Sequence, residues 1–352
     1  MGNIITLIIF ILVLSVIIII HEFGHLLAAK HFGVYCKEFS IGMGPVLVQK
    51  QGKETVWSIR ALPIGGFVAM AGEEGEDEDD DLNIPYERTI NGIKPWKQIV
   101  VMAAGAIMNV LLAWVIFVGL TAYQGVVSVP QGAVISSVVE GSAAEKAGFM
   151  AGDEILSVQN QKEEIKPESI DDVSQFIQFY TGESTFTVLR DGEEITLKIT
   201  PDYNEEQHVY QLGIYPKNEI KKISFLEAIP YGTQQMVDSV VLIIESLGKL
   251  VQGIGLESLS GPVGIYQVTA QVSQAGLLSI ISFIGLLSVN VGIFNLLPIP
   301  ILDGGRIFIV LIETIIGRKL SVRVQNAIMM AGLFMIIALM VFATWNDIIR
   351  LF

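Results

Sequence analysis

The apolar positions of this chain are gathered into blocks instead of being spread along it. The first is a nearly unbroken run from Ile4 to Ala29, which at about 1.5 Å per residue is long enough to cross a hydrocarbon core of roughly 30 Å. Further runs over 99–120, 277–297 and 327–343 predict three more spans. The third run leads into Asn295-Leu296-Leu297-Pro298-Ile299-Pro300-Ile301-Leu302-Asp303-Gly304-Gly305. Two prolines must end or break its helix, yet the apolar residues continue to Leu302. Irregular backbone at membrane depth is tolerated only where protein or a cavity surrounds it, so this break is expected at a buried site.

Two polar blocks separate the spans. In the first, β-formers alternate with glycines from Lys37 to Met70, through Phe39–Pro45, a Gln51-Gly52-Lys53 turn and Leu62–Val68, which predicts a hairpin or small sheet. The acidic tract Glu73–Asp81 reads as a solvated loop, with a calcium or partner site as the alternative. Within the second span, Ala103, Ala104, Gly105 and Ala106 offer a close-packing face, and Asn109 is either an interhelical hydrogen bonder or a support for a functional site. The second polar block, Val126 to Lys217, has the pattern of a soluble domain. A short helix ends at Gly148, a helix begins at Ser169 or Asp171 and runs to about Tyr180, and Asp191-Gly192 marks a hairpin. From 224 to 253, Met236, Val240, Ile243, Ile244, Leu247 and Leu250 recur at helical spacing, in the interface or in a membrane bundle, and Ser260–Gly264 reads as a turn. The expected divisions are therefore 1–125, 126–217, 218–275 and 276–352.

Composition narrows the class. The chain is 51% hydrophobic and 16% charged, with a mean hydropathy of +0.57, too apolar for an ordinary soluble protein. A net charge of −14 leaves no basic footprint for nucleic acid. The single Cys36 rules out an intrachain disulfide and reads as a small core residue. The N-terminal run has no preceding Lys or Arg and leads into His and Glu, not into a small-residue cleavage site, so it is expected to be a retained span instead of a signal peptide.

That span ends in His21-Glu22-Phe23-Gly24-His25. Ionisable residues at the end of a membrane helix are costly and need a reason. Histidines at i and i+4 share a helix face and suit one metal, and Glu22, about 100° round from His21, reaches a water beside it. The bland alternative is a chance match, with two interfacial histidines at a helix end. His31 and His208 are expected to be surface residues.

Lys and Arg number seven from His31 to Lys97, and Arg306, Arg318, Lys319 and Arg323 lie between the last two spans. The long middle region has nine, against 21 acids. This puts the first and third connections in the cytoplasm and the middle domain outside. Spans one and three then both run inward. His21 and His25 lie near the inner end of one, and Asp303 just past the inner end of the other. Two histidines and a carboxylate with one open position make a catalytic zinc set, and Glu22 is then the expected base.

These residues resemble the site-2 protease family of intramembrane zinc metalloproteases, in its bacterial RseP-type branch. His21–His25 is similar to the family's H-E-F-G-H, Asn295–Gly304 to its N-x-x-P-x-P-x-L-D-G, and Gly42-Met43-Gly44 to its G-x-G in a membrane-associated β-hairpin. Ser142–Val158 resembles part of a PDZ domain, and Leu212-Gly213-Ile214 a PDZ carboxylate-binding loop. The resemblance implies a polytopic α-helical membrane protein of about four transmembrane helices, with a membrane-associated β-hairpin region and one extracytoplasmic PDZ domain. It implies Zn2+ on His21, His25 and Asp303, Glu22 as catalytic base, and substrate placement by Asn295, Pro298, Pro300, Gly42 and Gly44. It also implies a multi-pass protein of the bacterial cell membrane acting on single-span membrane proteins, such as anti-sigma factors or remnant signal peptides. Peptide C-termini are candidate partners at Leu212-Gly213-Ile214. One PDZ domain fits this chain, where some relatives carry two. The competing expectations are a non-catalytic scaffold presenting a PDZ domain, which needs neither metal nor Glu22, and a transporter, for which no inverted repeat is visible.

Overall fold

The computed structural model describes residues 3–73, 84–204, 209–253 and 259–349. The acidic tract beyond Glu73 and His208 lie outside them. The chain divides into two compact units, one of residues 1–120, 229–247 and 257–352 and one of residues 121–228 and 248–256.

The first unit opens with α1 (Asn3–His31) and a hairpin of two long strands, β1 (Cys36–Gln51) and β2 (Val56–Met70), and continues into α2 (Pro95–Gln124). The hairpin curls on itself. Ile41 pairs with Gly66 on one side and with Ile59 on the other, while Val48 also pairs with Ile59. The first half of β1 is thus sandwiched between the two halves of β2. Gly42 (φ 88°) and Gly44 (φ 82°) supply the positive-φ corner where β1 changes neighbour, a backbone shape that side chains with a Cβ resist. The end of β2, Gly66 to Met70, is left with one edge unpaired by strand. Leu26, Ala29, Cys36, Phe39, Val68 and Val101 form the core that binds α1, hairpin and α2 together.

The second unit is a twisted antiparallel sheet with two short helices. Its elements are β3 (Val126–Val138), α3 (Ala143–Ala147), β4 (Glu154–Gln159), β5 (Glu164–Ile165), α4 (Ile170–Phe179), β6 (Ser184–Arg190), β7 (Glu193–Ile199), β8 (Asp202–Asn204), β9 (Val209–Gln211) and β10 (Ile214–Lys222). The main strand order is β10-β3-β4-β6-β7, which leaves β10 at an edge. Ser142 caps α3 and Gly148 ends it in the left-handed conformation. Of the two expected caps for α4, it is Ser169 that bonds the Asp172 N–H, in a reciprocal capping box. Asp191 (φ 52°) and Gly192 (φ 89°) close the β6–β7 hairpin. Phe186, Ile135, Val158, Val173 and Val188 fill the core. Beside it the Asp153 carboxylate, fully buried, takes Arg190 Nε at 2.7 Å, Arg190 Nη2 at 2.8 Å and the Met150 N–H at 2.9 Å. Burial alone pushes that carboxyl up, and the Arg190 and Met150 hydrogen bonds outweigh it, so Asp153 titrates below its ordinary value.

The first unit resumes within α5 (Phe225–Val251) and ends with α6 (Pro262–Ala275), α7 (Leu277–Asn295), α8 (Asp303–Ile316) and α9 (Val322–Ile349). Among the described residues, four helices are long and apolar enough to cross a membrane, over 4–31, 95–124, 277–295 and 323–349. Only 11% of the apolar window of the last is buried, so its Phe334, Val341 and Trp345 need hydrocarbon as solvent. Two helices were not legible as such. The expected turn at Ser260–Gly264 opens α6, because Pro262 takes the first helical position, where its missing N–H costs nothing. Asp347, buried in α9, accepts the Gly261 and Gly264 N–H groups at 2.9 and 2.8 Å, so a carboxylate from the chain's end caps this helix. The second unforeseen helix, α8, starts at Asp303 directly after the proline break.

Candidate metal centre

The break after α7 folds tightly back over the start of α8. A side chain at Gly304 would collide with the Leu296 and Leu297 carbonyls, and one at Gly305 with the Ile299 carbonyl. The two glycines therefore let the Pro298–Leu302 turn lie against the first turn of α8, and this sets Asp303 at its N-terminus. On the other side, α2 passes directly against the imidazoles. A Cβ on Gly105 would lie 2.8 Å from His21 Nε2 and closer still to His25 Nε2. Of the small residues expected to pack helices closely, Gly105 is the one that makes room for the site.

Three donor atoms converge there. His21 Nε2 lies 3.1 Å and His25 Nε2 3.3 Å from Asp303 Oδ2, and the two nitrogens are 3.2 Å apart. Both histidines are buried, and the rings stand edge to face, 83° between planes. Asp303 Oδ2 is buried, with the two histidine nitrogens as its near polar neighbours. A ring proton can bridge only one of these contacts, whereas a cation between them satisfies all three donor atoms at once. Bonds of about 2.0 Å at a tetrahedral angle separate zinc ligands by about 3.3 Å, so the donor set and its spacing fit zinc. The outer nitrogens are held as well. His25 Nδ1 is 2.8 Å from the Val101 carbonyl, and His21 Nδ1 is 3.3 Å from the Asn109 carboxamide.

Glu22 points the other way, towards the sheet. Its Oε2 accepts the Val68 N–H at 3.1 Å, on the edge of β2 that β1 leaves open. A cleft of about 420 Å3 holds His21, Glu22, His25 and Asp303, with Phe67–Met70 along one wall. Glu73 and Arg306 form an ion pair at this cleft.

The structure thus brings together His21, Glu22, His25 and Asp303. Asn295 ends α7, and Pro298 and Pro300 lie in the turn outside the lining of the cleft, where Pro300 packs on Gly332 of α9. Gly42 and Gly44 shape the hairpin corner. Leu212, Gly213 and Ile214 line a separate cavity of about 590 Å3 in the second unit, at the start of edge strand β10. Sequence reasoning missed Arg306 and the Val68 N–H. Arg306 carried a signal, being one helical turn beyond Asp303 on the same face; a backbone donor carries none.

A membrane-embedded helix bundle with this donor set and an adjacent glutamate defines a class, the membrane-bound metallopeptidases. The chain belongs to Peptidase family M50, whose model matches residues 9–339. It is 32% identical to the "Regulator of sigma-W protease RasP" of Bacillus subtilis (strain 168), over 99% of both chains. It is 31% identical to the "Zinc metalloprotease RasP" of Bacillus licheniformis, again over 99% of both, and 34% identical to a putative zinc metalloprotease of Clostridium acetobutylicum over 96% of both. The protein is a multi-pass intramembrane zinc metalloprotease.

Proposed function

We propose that His21, His25 and Asp303 hold the zinc and that Glu22 is the catalytic base, in a protease that cuts single-span membrane proteins within or near their transmembrane segments. The convergence of three donor atoms from α1 and α8, with Glu22 beside them, carries this reading. Zinc supplies Lewis acidity, making water acidic near neutral pH and polarising the scissile carbonyl. Glu22 takes a proton from the attacking water on its carboxylate oxygen and passes it to the leaving amine nitrogen.

A transmembrane helix hides its peptide bonds, and lipid offers no partner for unpaired backbone groups. The open edge of Phe67–Met70 supplies those partners, because an unwound substrate segment added there gains strand hydrogen bonds beside the donor triad. The substrate arriving at Val68 would also take over the N–H that holds Glu22. Asn295, Pro298, Pro300, Gly42 and Gly44 are read as residues that place the substrate, Pro300 from the turn packed on Gly305 and the two glycines from the hairpin corner that supports this edge.

The Lys and Arg distribution supports a cytoplasm-side active site in a bacterial cell membrane and an extracytoplasmic second unit. We read that unit, at 126–217, as a single PDZ domain with Leu212-Gly213-Ile214 at its peptide groove, restricting access to substrates already trimmed on that side. Its groove either takes a fresh C-terminus or serves only as part of a bulky filter. One of the relatives is named for regulating sigma-W, which makes anti-sigma factors a substrate class to test first, with remnant signal peptides the second. A non-catalytic scaffold has no use for a buried donor triad. The test is Glu22→Gln in the full chain with a model single-span substrate. Retained zinc with cleavage lost supports this mechanism, whereas cleavage at the parent rate would overturn it.

A further inference from the structure

We infer that Asn109 is a positioning residue for the metal centre, its carboxamide oxygen accepting the Nδ1–H of His21 and so holding that ring with Nε2 towards the zinc. The inference rests on the reading of His21 as a ligand.

An imidazole that gives its Nε2 lone pair to a metal is neutral and carries its proton on Nδ1. That N–H is buried here and needs an acceptor. His25 meets the requirement through the Val101 carbonyl at 2.8 Å. At His21 the polar group in the corresponding place is the Asn109 carboxamide, 3.3 Å from Nδ1. Its nitrogen faces the ring, which would set donor against donor once zinc is bound, while its oxygen is buried and finds no donor among the described residues. The two ends of a carboxamide have nearly the same shape, so turning it over costs no space and sets Oδ1 against the Nδ1–H. Each ligand histidine then has one acceptor from α2, Val101 by its backbone and Asn109 by its side chain.

A role in joining helices does not account for this side chain. The link between α2 and α7 at this turn runs through the Asn109 main-chain carbonyl, which accepts the Ser288 hydroxyl at 2.9 Å. Asn109 is fully buried, one turn beyond the Gly105 that seats the two rings. Its side chain is thus aimed at the ring whose orientation the site depends on.

The test uses the full chain in detergent micelles, with zinc affinity measured by competition against a fluorescent chelator. Asn109→Leu, with no acceptor, should weaken zinc binding about 10- to 100-fold, the usual effect of losing a ligand's outer partner. Asn109→Asp, an obligate acceptor, should hold zinc within about threefold of the parent. A merely structural asparagine predicts the reverse order, because a buried charge harms packing more than leucine does. Asn109→Leu binding zinc like the parent, or Asn109→Asp losing tenfold or more, overturns the inference, and the Asp variant decides alone if the Leu variant does not fold. His21→Ala separates the two levels. If it keeps parental zinc affinity, the ligand reading itself fails; if it loses zinc while Asn109→Leu does not, only the role of Asn109 falls.

Discussion

Asp303 Oδ2 lies 3.1 Å from His21 Nε2, although one residue sits within α1, about three turns before its end at His31, and the other opens α8. Neither segment makes a site alone. The first span supplies two nitrogens and the Glu22 carboxylate, and the start of α8 supplies the carboxylate oxygen that joins the two nitrogens. Asp303→Asn keeps the shape but removes the charge. It should lower zinc content and abolish cleavage together, read as the metal-to-protein ratio beside a cleavage assay. Full zinc occupancy in that variant would show that the carboxylate is not a ligand.

Gly105→Ala is the smallest change that should disturb both histidines. Its methyl group would occupy the space against the two Nε2 atoms, and the α2 backbone behind it is locked by the α1 and α7 contacts. Cleavage should fall by about 100-fold, the loss that follows from misplacing catalytic groups by an ångström. Ala104→Gly, one residue away, is the control and should stay close to the parent.

Val68→Pro removes the N–H that Glu22 accepts and one donor from the open edge of β2. Cleavage should fall by about 100-fold while zinc stays bound, since no metal donor is touched. Loss of zinc in this variant would mean that the hairpin holds the ligands and not the substrate.

Asp153 and Arg190 give the second unit a pH dependence. The Asp153 carboxyl titrates below its ordinary value in the folded state, so the pair's stabilisation is present above the unfolded value of about 3.9 and is lost as pH falls through the lower folded value. The protection of β6 amides in the full chain, taken relative to intrinsic exchange at each pH, should therefore hold down to about pH 4 and fall below it. Asp153→Asn leaves Arg190, itself partly exposed, without its charged partner and should cost about 1.5–3 kcal/mol in those openings. Equal exchange in both proteins would contradict this.

The sequence was most informative where chemistry and periodicity coincide. His21, Glu22 and His25 were legible because a four-residue step on a helix needs no tertiary knowledge to place two side chains together. Asp303 was legible because two prolines in an apolar run demand a protected backbone. The four helices apolar and long enough to span a membrane followed from apolar length alone. What stayed hidden depends on pairing across the fold. The Glu22–Val68 contact uses a backbone donor that every residue type shares. The curl of the hairpin comes from β1 pairing on both sides, which alternation cannot reveal. Asn109 was visible as an oddity within a span, but only the position of His21 Nδ1 gives its carboxamide something to do.

X-ray absorption at the zinc edge, on the zinc-loaded Glu22→Gln protein, tests the donor set most directly. The expected neighbours are oxygen and nitrogen at about 2.0–2.1 Å, with the outer-ring scattering of two imidazoles. A sulfur neighbour near 2.3 Å, or the scattering of one imidazole, would contradict it.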